Sequence, residues 1–291
     1  MSLFAEGLLL GVLSGGLYAL MASGLTLIFG VMRVINIAHA AIVILGSYLA
    51  WALLIRFGLD PLVAILALAV VFFFGGMALQ KGLLSALADR DLSLALLATL
   101  GVANVVEGTE GILWTSTFHS VNPSYADTTY HLGALYVPMV RVLTFGVSLL
   151  LLLGLYLMLN HTKLGRAIRA TTQNRGVSQL VGVNVARVTV IAVGIGIAAA
   201  GAAGPLMGMI YPFYPDSHWL WIAKLMAIVI LGGLGSFRGT LLAALILGVA
   251  EQVTILFLSP NWSAMVFFLF LFGVLIVRPQ GFFGRVGREA L

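Results

Sequence analysis

Nine stretches of this chain are apolar for close to the length a helix needs to cross a bilayer core about 30 Å thick, roughly 20 residues. They lie near 4–30, 37–55, 61–80, 92–112, 138–160, 186–210, 220–234, 240–258 and 262–277. In hydrocarbon the backbone must satisfy its own N–H and C=O groups, so long apolar runs of this kind are helices. Composition agrees: hydrophobic residues make up 61% and charged residues 9% of the 291 positions, whereas a soluble domain is about 25% charged. The expected fold is all-α, a polytopic transmembrane helical bundle of eight to ten spans in a single domain over 1–291. The seventh run is short. The first contains Gly11, Gly15, Gly16 and Gly24, which makes a broken helix an open alternative there. Pro205, inside the sixth run, is expected to remove a backbone hydrogen bond and kink it.

Several chemistries are excluded by what the residues lack. There is no cysteine, hence no disulfide and no thiolate metal site. The five histidines are scattered without metal-ligand spacing, so no metal site is expected. No G-x-x-x-x-G-K-[ST] is present to cradle nucleotide phosphates, and the glycine cluster 232–239, GGLGSFRG, has no lysine. Neither H-E-x-x-H nor G-x-S-x-G occurs. No catalytic residue and no cofactor are expected in this chain. Residues 1–23 do not read as a cleavable leader, because no basic segment precedes the apolar run.

Basic residues give the orientation, since cytoplasmic loops concentrate lysine and arginine. With nine spans and a cytoplasmic C-terminus, one side holds Arg33, Lys81, Arg90, Lys163, Arg166, Arg169, Arg175, Arg187, Arg238, Arg278, Arg285 and Arg288. The other keeps only Arg56, Arg141 and Lys224. The segment 113–137 has no lysine or arginine but carries Trp114, Tyr125, Tyr130 and Tyr136, as an external interfacial loop would. The segment 161–187 carries five basic residues and no acid. Its Leu164, Ile168, Leu180 and Val181 suit one or two short amphipathic helices on the cytoplasmic face.

Polar residues at membrane depth are costly and point to function or to a partner. In VMRVINIAHAAI, Arg33, Asn36 and His39 recur every three residues, which fits either a helix end at the membrane surface or a break lining a solute path. In ATLGVANVVEGTEG, Thr99, Asn104, Glu107 and Glu110 share one broad helical arc. Glu107 is read as the deeper, cavity-facing acid and Glu110 as an outer, solvated one. Glu251 sits midway along an apolar run, either neutral, paired with a basic residue on another span, or open to water. The glycine ladder Gly7, Gly11, Gly15 and the run GIGIAAAGAAGPLMG are read as packing surfaces, where small residues let helices approach closely.

Four blocks in order resemble the permease family of bacterial branched-chain amino-acid ABC importers. The opening GLLLGVLSGGLYALMASGLTLIFGVMRVINIAHAAIVILGSYLA is similar to that family's N-terminal signature with its N-x-A-H motif. LLATLGVANVV is similar to its central helix, GRAIRATTQNRGVSQLVGVNVARV to its cytoplasmic loop, and KLMAIVILGGLGSFRGTLLAALILGVAEQ to its C-terminal block. Ala40 stands where the family usually has glycine, and Thr171, Thr172 and Gln173 where an acidic residue is usual. The resemblance implies a bacterial inner-membrane, multi-pass permease subunit that is not itself an enzyme, in an ATP-driven, binding-protein-dependent importer of branched-chain or other hydrophobic amino acids. It implies as partners two cytoplasmic ABC ATPase subunits, a second homologous permease or a second copy of this chain, and a periplasmic solute-binding protein, with no nucleic acid. Arg169, Asn174, Arg175, Leu180 and Gly182 would couple to the ATPase, and Asn36, His39, Thr99, Asn104, Glu107 and Glu251 would line or support the substrate pathway. Urea, short amides or aromatic acids are alternative solutes for the same scaffold. An ion-coupled secondary transporter, using Glu107 or Glu251 as its ion site, and a passive amide channel are rivals from other classes.

Overall fold

The computed structural model describes residues 2–88, 92–132 and 135–283; Arg90, Arg285 and Arg288 of the basic set lie outside them. Each of the nine apolar runs is a helix. The chain order is α1 (Ser2–Met32), α2 (Ala38–Phe57), α3 (Pro61–Leu79), a π-helical turn (Gln80–Leu84), α4 (Ser85–Ala88) and α5 (Leu92–Trp114). A hairpin of β1 (Thr129–Leu132) and β2 (Leu135–Pro138) follows, then α6 (Met139–His161), α7 (Lys163–Gln173), α8 (Arg175–Leu180) and α9 (Val185–Ile210). A 3-10 turn (Pro215–Ser217) leads into α10 (His218–Gly232), α11 (Phe237–Phe257) and α12 (Pro260–Val277). By length and composition seven helices can cross a membrane. The other two apolar helices are shorter, and α10, with 15 residues, spans only about 22 Å at ~1.5 Å per residue.

The first helix is not broken. It runs for 31 residues, and its glycines serve close packing instead. A Cβ on Gly11 or Gly15 would run into the backbone of α11 at Val249 or Leu245, and one on Gly248 would meet the backbone of Gly11 and Gly15. The seam is therefore glycine against glycine, with two backbones in contact. Gly24 and Gly196 make a second close approach between α1 and α9, and Gly46 and Gly204 a third between α2 and α9. Around these seams Leu17, Met21, Leu25 and Ile28 of α1, Ile44 of α2, Leu206 of α9, Ile228 of α10 and Leu247 of α11 form one buried core. Pro205 lies within α9 and is itself buried.

The two ends of the bundle differ in charge. The C-terminus of α1 lies beside α7 and the α10–α11 connection, where Gly30 faces Thr172 and Gly235. Phe282 N–H donates to Leu231 O, which brings the end of α12 to the same place. Arg33, the α7 and α8 basic residues, Arg187, Arg238 and Arg278 sit in these end segments. The opposite end holds the β-hairpin and the 115–128 loop, pinned to the bundle by His119 bridging to Phe213. There Asp60 caps α3 by accepting from Leu62 N–H at 2.8 Å, and also accepts from the Tyr125 hydroxyl at 3.2 Å. Burial, reinforced by the Asp60 charge, raises the Tyr125 phenol above its ordinary value, so it stays a donor.

One basic residue is not where the charge count placed it. Lys224 lies inside α10, 7% exposed, rather than outside the membrane, because a buried carboxylate on α11 neutralises it. The outer set then shrinks to Arg56 and Arg141, which sharpens the asymmetry.

The α1–α11 seam makes a measurable claim. Gly248→Val is expected to destabilise the protein by about 1–3 kcal/mol through overpacking, lowering its melting temperature in detergent. Gly154→Ala, where an added Cβ meets nothing within 4 Å, is expected to change it little. Equal melting temperatures for the two variants would contradict the seam.

Candidate functional site

Between α1 and α2 the helical ladder stops for residues 33–37. Arg33 closes α1 in the left-handed region, φ 58°, a conformation that costs a non-glycine residue about 1–2 kcal/mol. The break is held from α5: Thr99 Oγ1 accepts from Ile37 N–H at 3.2 Å and donates to Leu96 O at 2.8 Å. Asn36 is 1% exposed inside this break, and neither its Oδ1 nor its Nδ2 has a hydrogen-bond partner among the described residues. His39, the second residue of α2, is fully buried rather than a solvated surface residue. Its Nε2 lies 2.9 Å from Met21 O. A carbonyl only accepts, so Nε2 carries the proton and Nδ1 presents a lone pair, again with no partner. Thr99 thus holds the break that contains Asn36, and Asn36 and His39 carry unsatisfied hydrogen-bonding capacity.

Of the seven long helices α5 is the least covered by the rest of the chain. Asn104, at its midpoint, is exposed, as are Gly101, Gly108 and Thr109. One of the two acids, Glu110, departs from the sequence expectation. Glu107 is 29% exposed, while Glu110 is fully buried with both carboxylate oxygens unpartnered. The helix does not run straight out into solvent at Glu110. Tyr48 of α2, whose ring stacks on Trp114 at 4.9 Å, and the turn before α10 close over that side.

Glu251 has taken the second of its three open readings. Its Oε1 lies 2.6 Å from Lys224 Nζ, and its Oε2 accepts from the Tyr18 hydroxyl at 2.5 Å. Tyr18 also meets the Tyr211 hydroxyl at 2.9 Å. The ammonium of Lys224 lies 5.1 Å from the Trp221 ring centroid and 5.9 Å from that of Phe267, close enough for cation–π attraction. Four helices, α1, α10, α11 and α12, and the residue that follows α9 therefore converge on one charge pair, and α5 is not among them. Lys224, Tyr18, Tyr48 and His218 were all missed from sequence. The available signal was a lone lysine in WIAKLMAIV beside a lone acid in the next run, two membrane-depth charges that neutralise each other.

At the basic end, 163–180 forms the two short helices expected. Arg169 donates to Leu159 O and, at 3.1 Å, to Asn160 Oδ1, so it fastens α7 to the end of α6. Thr162 caps α7 and Asn174 caps α8. Arg175 is half-buried. Gly182 adopts φ 83°, the left-handed turn after α8, which glycine takes without steric cost. The tip between them presents Val177, Leu180 and Val181 at 54%, 87% and 72% exposure.

A bundle of close-packed apolar helices, with a polar break between two of them and a short-helix protrusion at its basic end, defines an integral-membrane transporter subunit of the permease class. The chain belongs to the family described as the permease component of branched-chain amino acid transport systems, whose pattern matches residues 7–275. It is 29% identical to the high-affinity branched-chain amino acid transport system permease protein LivH of Escherichia coli K12, over 97% of this chain and 96% of that one. It is also 29% identical to the corresponding permease protein BraD of Pseudomonas aeruginosa, with the same coverage. The fructose import permease protein FrcC of Rhizobium meliloti is 28% identical over 84% of this chain and 68% of its own. No solved structure matches the chain.

The buried pair is testable by a double-mutant cycle. Lys224→Met or Glu251→Leu alone leaves an unpaired buried charge and is expected to cost about 3–5 kcal/mol. The double variant is expected to unfold at a higher temperature than either single one, measured by thermal denaturation in detergent. A double variant whose losses simply add would show that the two charges do not stabilise each other.

Proposed function

We propose that this chain is the translocating subunit of an ATP-driven importer that takes up branched-chain amino acids across the bacterial inner membrane. The observation that supports coupling to a separate motor is the α7–α8 tip. Val177, Leu180 and Val181 are exposed on short helices beyond the membrane-length ones, an arrangement that suits insertion into a cleft of an ATPase. ATPase closure would move the tip, and through the Arg169 tie to α6 would move the bundle, switching access by rigid-body motion. Arg175 and Asn174 support the tip, and Gly182 sets its exit. The basic end then faces the cytoplasm and the β-hairpin end the periplasm, where a solute-binding protein would dock.

The route itself is assigned to the outer face of α5. An exposed asparagine at the centre of an apolar helix is costly against lipid, so this face turns to a second permease subunit and the water-filled path between the two. Asn104 and Glu107 line it, with Asn36, His39 and Thr99 behind. Glu251 supports the bundle and does not line the path. Its pairing with Lys224 removes Glu251 as the ion site of an ion-coupled transporter. The solute class follows the printed names of LivH and BraD, which cover nearly the whole chain. FrcC, named for fructose, is the reason to measure it.

Reconstituted with its partner ATPases and binding protein, the permease is expected to accumulate leucine with ATP and not with a sodium or proton gradient alone. Gradient-driven uptake without ATPases would overturn the reading. Leu180→Asp leaves a surface position polar and is expected to reduce uptake by about tenfold or more, the loss of one buried leucine contact, while the protein stays in the membrane. Single cysteines at Gln179 and Ser124 test the orientation. In intact spheroplasts an impermeant thiol reagent is expected to label Ser124→Cys and spare Gln179→Cys.

A further inference from the structure

Two cavities of about 280 Å³ each lie side by side at the end of the bundle that carries the β-hairpin. Both are lined by Ala52 and Arg56 of α2 and by Leu113 and Trp114 of α5, so together they form one groove between the last turns of these two helices. Leu49, Leu53 and Phe57 complete one cavity, and Trp51, Ile55 and Thr115 the other. Ala52 is the small residue common to both, and its short side chain leaves the room.

The groove is polarised along α2. Leu49, Ala52, Leu53 and Arg56 recur at the spacing of one helical face, which puts Leu49 ~10 Å nearer the middle of the membrane than Arg56 at ~1.5 Å per residue. Arg56 is exposed in the last turn of α2 and takes part in no hydrogen bond or ion pair among the described residues. Asp60, the acid nearest to it in the chain, is occupied by Leu62 N–H and the Tyr125 hydroxyl. No residue lining either cavity is acidic.

An arginine that only ended a helix would need no apolar slot beside it. Here an unpaired guanidinium heads a groove walled by leucine and tryptophan, the order of groups that a phospholipid matches with its phosphate and acyl chain. Guanidinium and phosphate can pair through two parallel N–H···O bonds, and tryptophan is at home at the headgroup level. The groove also opens away from the face of α5 assigned to the route: at ~100° per residue Leu113 falls on the opposite side of α5 from Asn104.

We propose that this groove binds one anionic phospholipid from the leaflet at the β-hairpin end, with its phosphate on Arg56 and an acyl chain along Leu49, Leu53 and Leu113. With no acid in the groove to receive a headgroup ammonium, a lipid of net negative charge is preferred over a zwitterionic one. The lipid braces α5, the long helix that the rest of the chain covers least. Neither the solute nor the energy source proposed above enters this reading.

Native mass spectrometry of the full chain in detergent, with phosphatidylglycerol or phosphatidylcholine of equal chain length added, tests it by counting bound lipids. One phosphatidylglycerol per chain is expected to bind about fivefold tighter than phosphatidylcholine, the preference one basic residue gives for an anionic lipid. Arg56→Gln is expected to remove that preference. Arg141→Gln, at the same end but already bonded to Ser14, is expected to keep it. Ala52→Leu, which fills the groove, is expected to lower binding of both lipids. The melting temperature of each variant is measured alongside to confirm an intact bundle. Phosphatidylglycerol held no tighter than phosphatidylcholine, or held as tightly by Arg56→Gln as by the wild type, would overturn the site. Displacement of phosphatidylglycerol by glycerol 3-phosphate alone, with binding unchanged in Ala52→Leu, would show a free-phosphate site and overturn the lipid. A second copy of the chain is the other occupant to exclude. The chain has no cysteine, so Leu53→Cys reports on the groove by itself. Disulfide-linked dimers on oxidation in native membranes would overturn the lipid, and a chain that stays monomeric there supports it.

Discussion

The pair between Lys224 and Glu251 is the constraint on which the bundle's arrangement depends. Two charges cannot be left apart in a low-dielectric interior, because each alone would cost several kcal/mol. Holding them 2.6 Å apart fixes α10 against α11. The Tyr18 hydroxyl ties α1 to the same carboxylate, Tyr211 brings in the end of α9, and Phe267 covers the ammonium from α12. The aromatic faces and the short hydrogen bonds replace the water that both ions give up. Hydrophobicity cannot supply this specificity, since lipid tails are as apolar as the helix surfaces they compete with. Polar contacts select one register, and the glycine seams then let the backbones close on it.

This arrangement divides the molecule into a braced half and an open one. Helices α1, α9, α10 and α11 interlock through small residues and the charge network. Helix α5 lies against α2 through Thr99 and the Tyr48–Trp114 stack, and leaves most of its surface uncovered. The unsatisfied polar atoms of Asn36, Tyr48 and Glu110 lie in the α1–α2 break, on α2 and on α5, outside the braced half, and those of His39 and His218 lie where it meets them. A transport subunit needs such a division, with one part that holds its shape while the other offers weak, exchangeable contacts. Tight binding along a route would slow release.

Much of this was legible in the residues. All nine helices follow from apolar length alone, and the paired short helices at 163–180 follow from apolar residues interleaved with positive charge. The resemblance drew on four blocks and the family match covers the same span. What could not be read was which helix neighbours which. Lys224 counts as a loop charge until α10 is seen to lie against α11. Glu110 looks outermost because it is nearer the end of its run, yet Tyr48 and the turn before α10 fold over it. Glu107, deeper along the sequence, is the more exposed of the two. Depth along a helix and burial within a bundle are different coordinates, and a single sequence reports only the first. The glycines of α1 posed the same difficulty: composition permits either a break or a seam, and the decision belongs to α11, more than 200 residues away.

That distance bears on how the protein is made. Helix α1 leaves the ribosome well before its principal neighbours, α9 and α11. Until they arrive, the glycine face of α1 and the Tyr18 hydroxyl are without the α11 partners they have in the folded bundle. Nothing in α2 or α3 can cover that face, so the early spans cannot assemble into a native half on their own. Closure of the α1–α11 seam must then wait for α11, and arrival of α10 and α11 delivers the ammonium and its counter-charge almost together. Premature termination before α11 would strand a hydrophobic span without its mate, an obvious substrate for membrane quality-control proteolysis.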